Sequence, residues 1–458
     1  MNTDQEKDIV SKYIKNKTEG TFLLAEHIVK KYDIVTVGEK VREMFVYKEG
    51  CYVPAENVVV GPEVQRILCH LVNKNAKGET YHKIADQTSH PREIFQMAER
   101  RYIPVKNGVY DIETDSLLPH EPKYRFTYQF PIHYDKNAQC TKTEAFFDQV
   151  LTPEQRLIIE EWLGYYFWRN YQFKKALILV GEGDTGKTTL LEVIGFLLGV
   201  NNLSSVSLQK MSSDKFSVAH LYGKHGNIVD ELSAKDIHDT GAFKMATGGG
   251  SITGERKYGN QFSFINYSKF TFACNKIPDV KDTDDDAYFN RWMVIRFENK
   301  IEKKIPNFIE TLDTSDERSG LFNLAMRGLK RLIAQGSFTY KLSASETKTE
   351  MMRSGSSIAM FASDILERDD SSEISKEDLY SAYGKYCRDN CLSTQSIRMF
   401  GAKVPSYTPY ISDAVSASLA HGKRSTVRVW RNVKLKDVST PGFGDFNNIE
   451  QYESELES

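Results

Sequence analysis

The chain lacks any apolar run of roughly 18 residues or more, so no helix of it is expected to span a membrane. Its start, MNTDQEKDIVSKYIKNK, has no apolar stretch and is not expected to act as a secretory signal. Cysteine is scarce. Six are scattered over 458 residues, which argues against a disulfide scaffold and for a reducing, cytoplasmic setting in a host cell, whether the gene is cellular or viral. Net charge is nearly absent too. At −2 the chain has no overall field to draw in nucleic acid, so any such binding must come from local basic patches. No internal repeat is visible. What remains is the balance of an ordinary globular protein, 40% hydrophobic and 27% charged. The length allows roughly two to four domains.

Residues 1–150 mix helical and short strand patterns and predict an α+β domain. Within it, Gln65–Val72 reads as a helix with an apolar face, and Arg101–Ile112 as a hairpin turning at Asn107-Gly108. Thr152-Pro-Glu-Gln155 is a capping box with proline at the first helical position. It predicts a helix reaching Asn170, with Leu157, Ile158, Trp162, Leu163 and Tyr166 on its buried side. An α/β region follows, within a domain spanning 151–342. Its strands are expected over Ala176–Val180, Gly226–Asp230, Phe270–Asn275 and Trp292–Phe297, with Ile305–Gln335 helical. Ser343–Ser357, rich in Ser, Thr and Glu, reads as a linker. Residues 358–436 predict a small α+β domain with helices near Ile358–Arg368 and Lys376–Asn390, a shorter helix, and a strand over Ser425–Val433. The acidic, polar stretch 437–458 reads as a mobile tail.

The most specific signal is ALILVGEGDTGKTT, residues 176–189. An apolar strand runs into a loop that fits G-x-x-x-x-G-K-[ST] completely, and the helix Lys187–Leu198 follows. Such a loop turns backbone N–H groups inward around phosphates, which assigns nucleotide binding to Gly181, Glu182, Gly183, Asp184, Thr185, Gly186, Lys187, Thr188 and Thr189. Lys187 reaches the β- and γ-phosphates, and the Thr188 hydroxyl is a Mg²⁺ ligand. Downstream, Asn227-Ile-Val-Asp230-Glu231 ends an apolar run on two acids. Asp230 would hold Mg²⁺ and Glu231 would polarise the attacking water; the alternative is a solvated acidic strand end. Asn275-Lys-Ile-Pro-Asp279 imitates the guanine-binding N-K-x-D, but Pro278 stands where the Asp is needed, and Asp230-Glu-Leu-Ser233 lacks the GTPase glycine. Asn275 therefore reads as a strand-end amide that orients water or senses the γ-phosphate, or else as part of a surface turn. Arg256-Lys257 before Gly259-Asn260 suggests a basic hairpin, which a nucleic-acid motor would use to grip phosphates; a solvated basic turn is the alternative.

Other groupings carry less. Cys387 and Cys391 are four apart, but no second pair completes a zinc site, so Cys387 is expected to pack in a helix. His70, His82 and His90 have no ligand or triad spacing, and Tyr165–Trp168 reads as helix core.

In order, these motifs resemble the superfamily 3 helicases: the phosphate loop, the Asp-Glu strand, FKMATGGGSITGERKY, FTFACN, and Asp286-Ala-Tyr-Phe-Asn-Arg291. The branch is the helicase part of phage and plasmid primase-helicases and the poxvirus nucleoside triphosphatase. NGVYDIETDSLLPHEPKYRFTYQFPIHYD is similar to the domain before that motor, and Tyr380-Ser-Ala-Tyr-Gly-Lys-Tyr-Cys387 to its winged-helix module, so the likeness covers residues 50–435. It implies an α/β protein with an AAA+-like P-loop core on a parallel sheet, an N-terminal α+β domain and a C-terminal winged-helix-like domain. It implies ATP and Mg²⁺ as cofactors, DNA (single-stranded or forked) as partner, and a homo-oligomeric ring, usually hexameric. Arg291 matches the arginine offered to a neighbour's ATP, and Lys244, Arg256 and Lys257 fall in the motif of the DNA-contacting hairpin. In a parallel sheet Arg291 would be poorly placed for its own loop; the alternative is a surface arginine paired to Asp282–Asp286. Two features depart from the pattern: Gly259 replaces a basic hairpin-turn residue, and nothing before residue 100 has a carboxylate-rich polymerase pattern. No primer synthesis by this chain is therefore expected, and a separate primase or polymerase is a candidate partner. The expected activity is ATP-dependent replicative unwinding of DNA for a phage, plasmid or other mobile element. The alternative is a DNA-binding ATPase that acts as initiator or loader without processive unwinding. Glu231 argues against a purely structural ATP site, which needs no water-polarising acid.

Overall fold

Two helices, Asp4–Lys15 and Lys17–Lys31, open the chain, and Asn16 between them caps the second by accepting from the N–H groups of Thr18 and Glu19. The computed structural model describes residues 4–38, 42–95, 99–232, 240–255, 261–277, 285–301, 305–390, 392, 394–420 and 423–436. Arg256, Lys257, Cys391 and the tail 437–458 lie outside them. The chain divides into two compact units, Met1–Asn275 with Val280–Thr347, and Lys276–Asp279 with Lys348–Ser458. No helix among the described residues is long and apolar enough to cross a membrane.

In the first unit the opening helices pack on a four-stranded sheet ordered Cys51–Pro54, Glu43–Lys48, Ile34–Val37, Ser89–His90. A second small sheet holds the expected hairpin, Tyr102–Val105 with Gly108–Asp111. Its register pairs Val105 with Gly108, so the turn is Lys106-Asn107, one residue earlier than expected, and Gly108 already belongs to the returning strand.

The capping box at Thr152 forms as read, with both reciprocal bonds to Gln155. The helix it starts runs Pro153–Tyr165, shorter than expected, and Leu157 faces outward while Ile158, Trp162, Leu163 and Tyr166 are buried. It packs against the long helix Ser315–Gln335 through two glycines. A Cβ on Gly328 would stand 2.2 Å from the Glu160 carbonyl oxygen, and one on Gly164 2.3 Å from that of Ala325. Buried Glu317, on the same long helix, accepts from the backbone of Lys142 and Thr143 and so caps Thr141–Val150. Tyr165, Tyr166 and Phe167 are core, as expected, although the helix ends at Tyr165 and Trp168 is only half-buried.

The centre of this unit is a five-stranded parallel sheet, ordered Trp292–Arg296, Ala176–Val180, Lys269–Cys274, Gly226–Val229, Leu203–Ser204. We call these the arginine, loop, asparagine, acidic and edge strands. Helices cover both faces of such a sheet, which is why its strands read as continuous apolar runs rather than alternating ones. All five residues of the loop strand are buried. A two-stranded antiparallel hairpin, Ser251–Glu255 with Gln261–Ile265, is inserted between the acidic and asparagine strands.

The second unit holds helices Ser357–Ile365, Lys376–Asp389 and Ile397–Tyr407. Its antiparallel sheet is ordered Leu366–Ser375, Lys423–Leu435, Ser412–Ala420. Phe361, Leu379, Tyr383, Cys387, Phe400, Trp430 and Val433 form its core. Two readings are corrected in this region. Ala344–Gly355 is helical, not a linker, because Ser343 and Glu346 form a capping box. The first helix of the unit ends at Ile365, and Leu366–Ser375, expected to be partly helical, is a strand.

Candidate active site

In an open parallel sheet, ligands bind where the strands end at their carboxyl edge. The phosphate-loop residues, Asp230, Glu231 and Asn275 gather at that edge. Cys274 pairs in register with Val180, and Val229 with Phe272, so Gly181, Asp230 and Asn275 all leave the sheet on the same side. Gly181 N–H donates to the Cys274 carbonyl at 3.4 Å, tying the loop to the residue before Asn275.

The loop needs its unusual residues. Gly186 has φ of 97° and Asp184 φ of 64°, both in the left-handed region that favours glycine. A Cβ on Gly181 would stand 2.3 Å from the Phe297 carbonyl oxygen, so only glycine lets the loop pass the end of the arginine strand. Beyond that strand, Ile301 N–H donates to the Asp184 carbonyl at 2.9 Å and Lys300 pairs with Glu182 at 2.8 Å, so the segment clips onto the loop.

Lys187 opens the following helix, is 8% exposed, and turns its ammonium into the loop. Nζ donates to the carbonyls of Gly181 (2.7 Å) and Glu182 (2.5 Å), and burial holds its pKa below the ordinary lysine value. The next residue, Thr188, donates from Oγ1 to Asp230 Oδ1 at 3.0 Å. This contact joins two motifs 42 residues apart. A hydroxyl beside a carboxylate is an all-oxygen donor pair that fits Mg²⁺, an ion usually bound by one or two protein carboxylates with substrate phosphates and water completing the shell. Among the described residues, no group of three or more His, Cys, Asp or Glu side chains gathers into an all-protein metal site.

Beside this pair runs a groove of about 400 Å³, lined by Thr188, Glu192, Val200, Leu203, Ser204 and Asp230 among others. Glu192 and Ser204 were not singled out in the sequence. Glu192 lies one helical turn after Thr188, a spacing that puts both on one face and could have flagged it. Buried Asn227 fixes the edge strand here, accepting from Ser204 Oγ (3.0 Å) and Val206 N–H (2.7 Å). Glu231 and Asn275 are both exposed at this edge.

Arg291 stands at the other end of the sheet. Its carbonyl accepts from Ala176 N–H at 2.6 Å, at the start of the loop strand. Its side chain donates to Thr247 Oγ1 (2.9 Å), the Lys244 carbonyl (3.5 Å) and the Ala287 carbonyl. The Lys244 ammonium pairs with Asp285 at 2.5 Å.

Comparison with known proteins adds to this geometry. Residues 59–152 match the family described as D5 N terminal like, and residues 179–291, from the loop strand to Arg291, match a family of unknown function (DUF5906). A protein of Acanthamoeba polyphaga mimivirus named "Putative helicase L207/L206" is 24% identical over 429 residues. The sequence is thus similar to a viral protein named as a putative helicase, and its N-terminal part to a D5 N terminal like family. The mimivirus alignment covers 84% of this chain but 43% of the relative, so the chain spans less than half of that relative's length. Two apo structures of the NrS-1 C-terminal region are 13% identical, with TM-scores of 0.47 and 0.48. They cover 89% and 90% of this chain, and 97% and 99% of their own.

Proposed function

We propose that this chain is an ATP-dependent DNA helicase of a phage, plasmid or other mobile element, working as a homo-oligomeric ring. The observation that carries the reading is the 3.0 Å bond from Thr188 to Asp230, made beside a phosphate loop into which Lys187 is turned. The strand order and the hairpin inserted before the asparagine strand support an AAA+-like P-loop core spanning 151–342. In the second unit the sequence helix, strand, helix, helix, strand, strand supports a winged-helix-like module over 358–436. Residues 1–150 form the domain before the motor.

In this reading the loop N–H groups and Lys187 bind the triphosphate of ATP, and the ammonium exchanges loop carbonyls for phosphate oxygens. Thr188 and Asp230 would hold Mg²⁺, which would supply positive charge to offset that of the triphosphate. Glu231 takes a proton from the attacking water, and Asn275 orients that water. Arg291 serves the neighbouring subunit's ATP. Arg256 and Lys257 grip one DNA strand.

Unwinding of a forked duplex tests the reading. The wild type should separate the strands with ATP and Mg²⁺, and Lys187→Ala should not. ATP hydrolysis and DNA binding with no strand separation would favour an initiator or loader.

A further inference from the structure

Asp285 belongs to neither the phosphate loop nor the hairpin, yet its carboxylate is 8% exposed and satisfied on both oxygens. Oδ1 accepts from Tyr288 N–H at 3.0 Å and caps the short helix Asp286–Phe289, which leads into Arg291. Oδ2 accepts from Thr240 Oγ1 at 2.9 Å and Lys244 Nζ at 2.5 Å. Thr240 precedes the helix Gly241–Ala246, and Lys244 lies in its last turn. One carboxylate therefore joins that helix to the turn bearing Arg291.

The guanidinium contacts given above all fall on the parts so joined. Thr247 and Lys244 belong to the helix and its end, and Ala287 to the capped turn. Phe243, on the same helix, stacks on Trp292 at 4.6 Å and 12°. Burial alone would raise the Asp285 pKa, but the bonds from Lys244 and Thr240 outweigh it and hold the carboxylate ionised.

We propose that Asp285, paired with Lys244, is a positioning residue for the trans-acting arginine: it sets where Arg291 stands relative to the next subunit's ATP. The proposal rests on the helicase reading above. It also gives Lys244 a different task from the strand contact that resemblance implied, since its ammonium is committed to a carboxylate.

The test uses full-length rings. Asp285→Asn keeps an acceptor for the cap and removes the charge that holds Lys244. It should lower kcat for ATP hydrolysis about tenfold to a hundredfold, the scale of a small misplacement of a reacting group, and leave KM for ATP unchanged. Lys244→Met should reproduce this, and the double variant should be no worse than either single one, because both remove the same tie. Mixing Asp285→Asn subunits with Lys187→Ala subunits should restore turnover, since the first retain a sound loop and the second a sound arginine. A folding defect would not be repaired in this way. Wild-type kcat in Asp285→Asn overturns the proposal. So does failure of its mixture to recover when an Arg291→Ala mixture does, or a shallower salt dependence of single-strand binding in Lys244→Met. If the Arg291→Ala mixture itself fails to recover, the shared-site reading falls and the proposal with it.

Discussion

Arg291→Ala should abolish turnover in a pure ring and regain it in a mixed one. The register of the sheet sets the reason. Trp292 pairs with Ala176, and the phosphate loop begins at Gly181, so Arg291 is level with the residue before the loop strand. Six residues of strand at ~3.3 Å each put the arginine about 20 Å from its own loop, a distance no arginine side chain spans. A guanidinium supplied by a neighbour is worth about a thousandfold or more in phosphoryl transfer, so the pure variant should lose that much of kcat. Mixed in equal amounts with Lys187→Ala, half the subunits carry an intact loop, and half of their neighbours an intact arginine. Head-to-tail contacts in a random ring then make about one interface in four complete, and about a quarter of wild-type turnover should return. Steady-state ATP hydrolysis against mixing ratio reads this directly. If mixed rings form without recovery, or if Arg291→Ala alone hydrolyses ATP normally, the arginine does not act across subunits.

Three further outcomes are expected. Glu231→Gln should bind ATP as the wild type does and lose hydrolysis, because the amide keeps the shape but cannot take a proton; loss of binding in a nucleotide titration would contradict its role as base. Arg256→Ala with Lys257→Ala should weaken single-strand binding and flatten its salt dependence by roughly one counterion per lost phosphate contact, and an unchanged slope would move the grip elsewhere. Near the start of the chain, burial would raise the Glu63 pKa, but bonds from Arg66, Tyr32 and Lys31 hold it at about 2 against an ordinary 4.5. A depressed carboxylate stabilises the fold above its unfolded pKa, and that stability drains as pH falls from about 4.5 towards 2. Denaturant melts across this window should show a shallower acid loss in Glu63→Gln, and an unchanged slope would mean that Glu63 is not the group responsible.

The parts legible in the sequence were those with a local signature. Ala176–Val180 is an apolar run because a central parallel strand is buried on both faces, and the loop consensus is dictated by backbone geometry at Gly181 and Gly186. Asp230 could be singled out because it ends an apolar run downstream of the loop, but its bond to Thr188 is seen only in the structure. Leu366–Ser375 was missed because its residues, LERDDSSEIS, neither alternate nor run apolar. Cross-strand pairs support it, Glu373 with Arg431 and Glu367 with Lys434, and no local window contains them. The edge strand Leu203–Ser204 is held by the amide of Asn227, itself inside another strand. Asp285 is one acid in Asp282-Thr-Asp-Asp-Asp286, and only its contacts with Thr240 and Lys244 single it out. The capping box at Ser343 and Glu346 was within reach of the sequence, but the Ser- and Thr-rich composition around it read as loop.

Mg²⁺-dependent ATP hydrolysis by the wild type and by Lys187→Ala tests the central claim most directly. Lys187 is the cation turned into the loop, and its removal leaves the γ-phosphate charge without that partner. The wild type should hydrolyse ATP only when Mg²⁺ is present, and the variant should not hydrolyse it at all; turnover by Lys187→Ala at the wild-type rate would contradict the assignment of this edge of the sheet as the site of phosphoryl transfer.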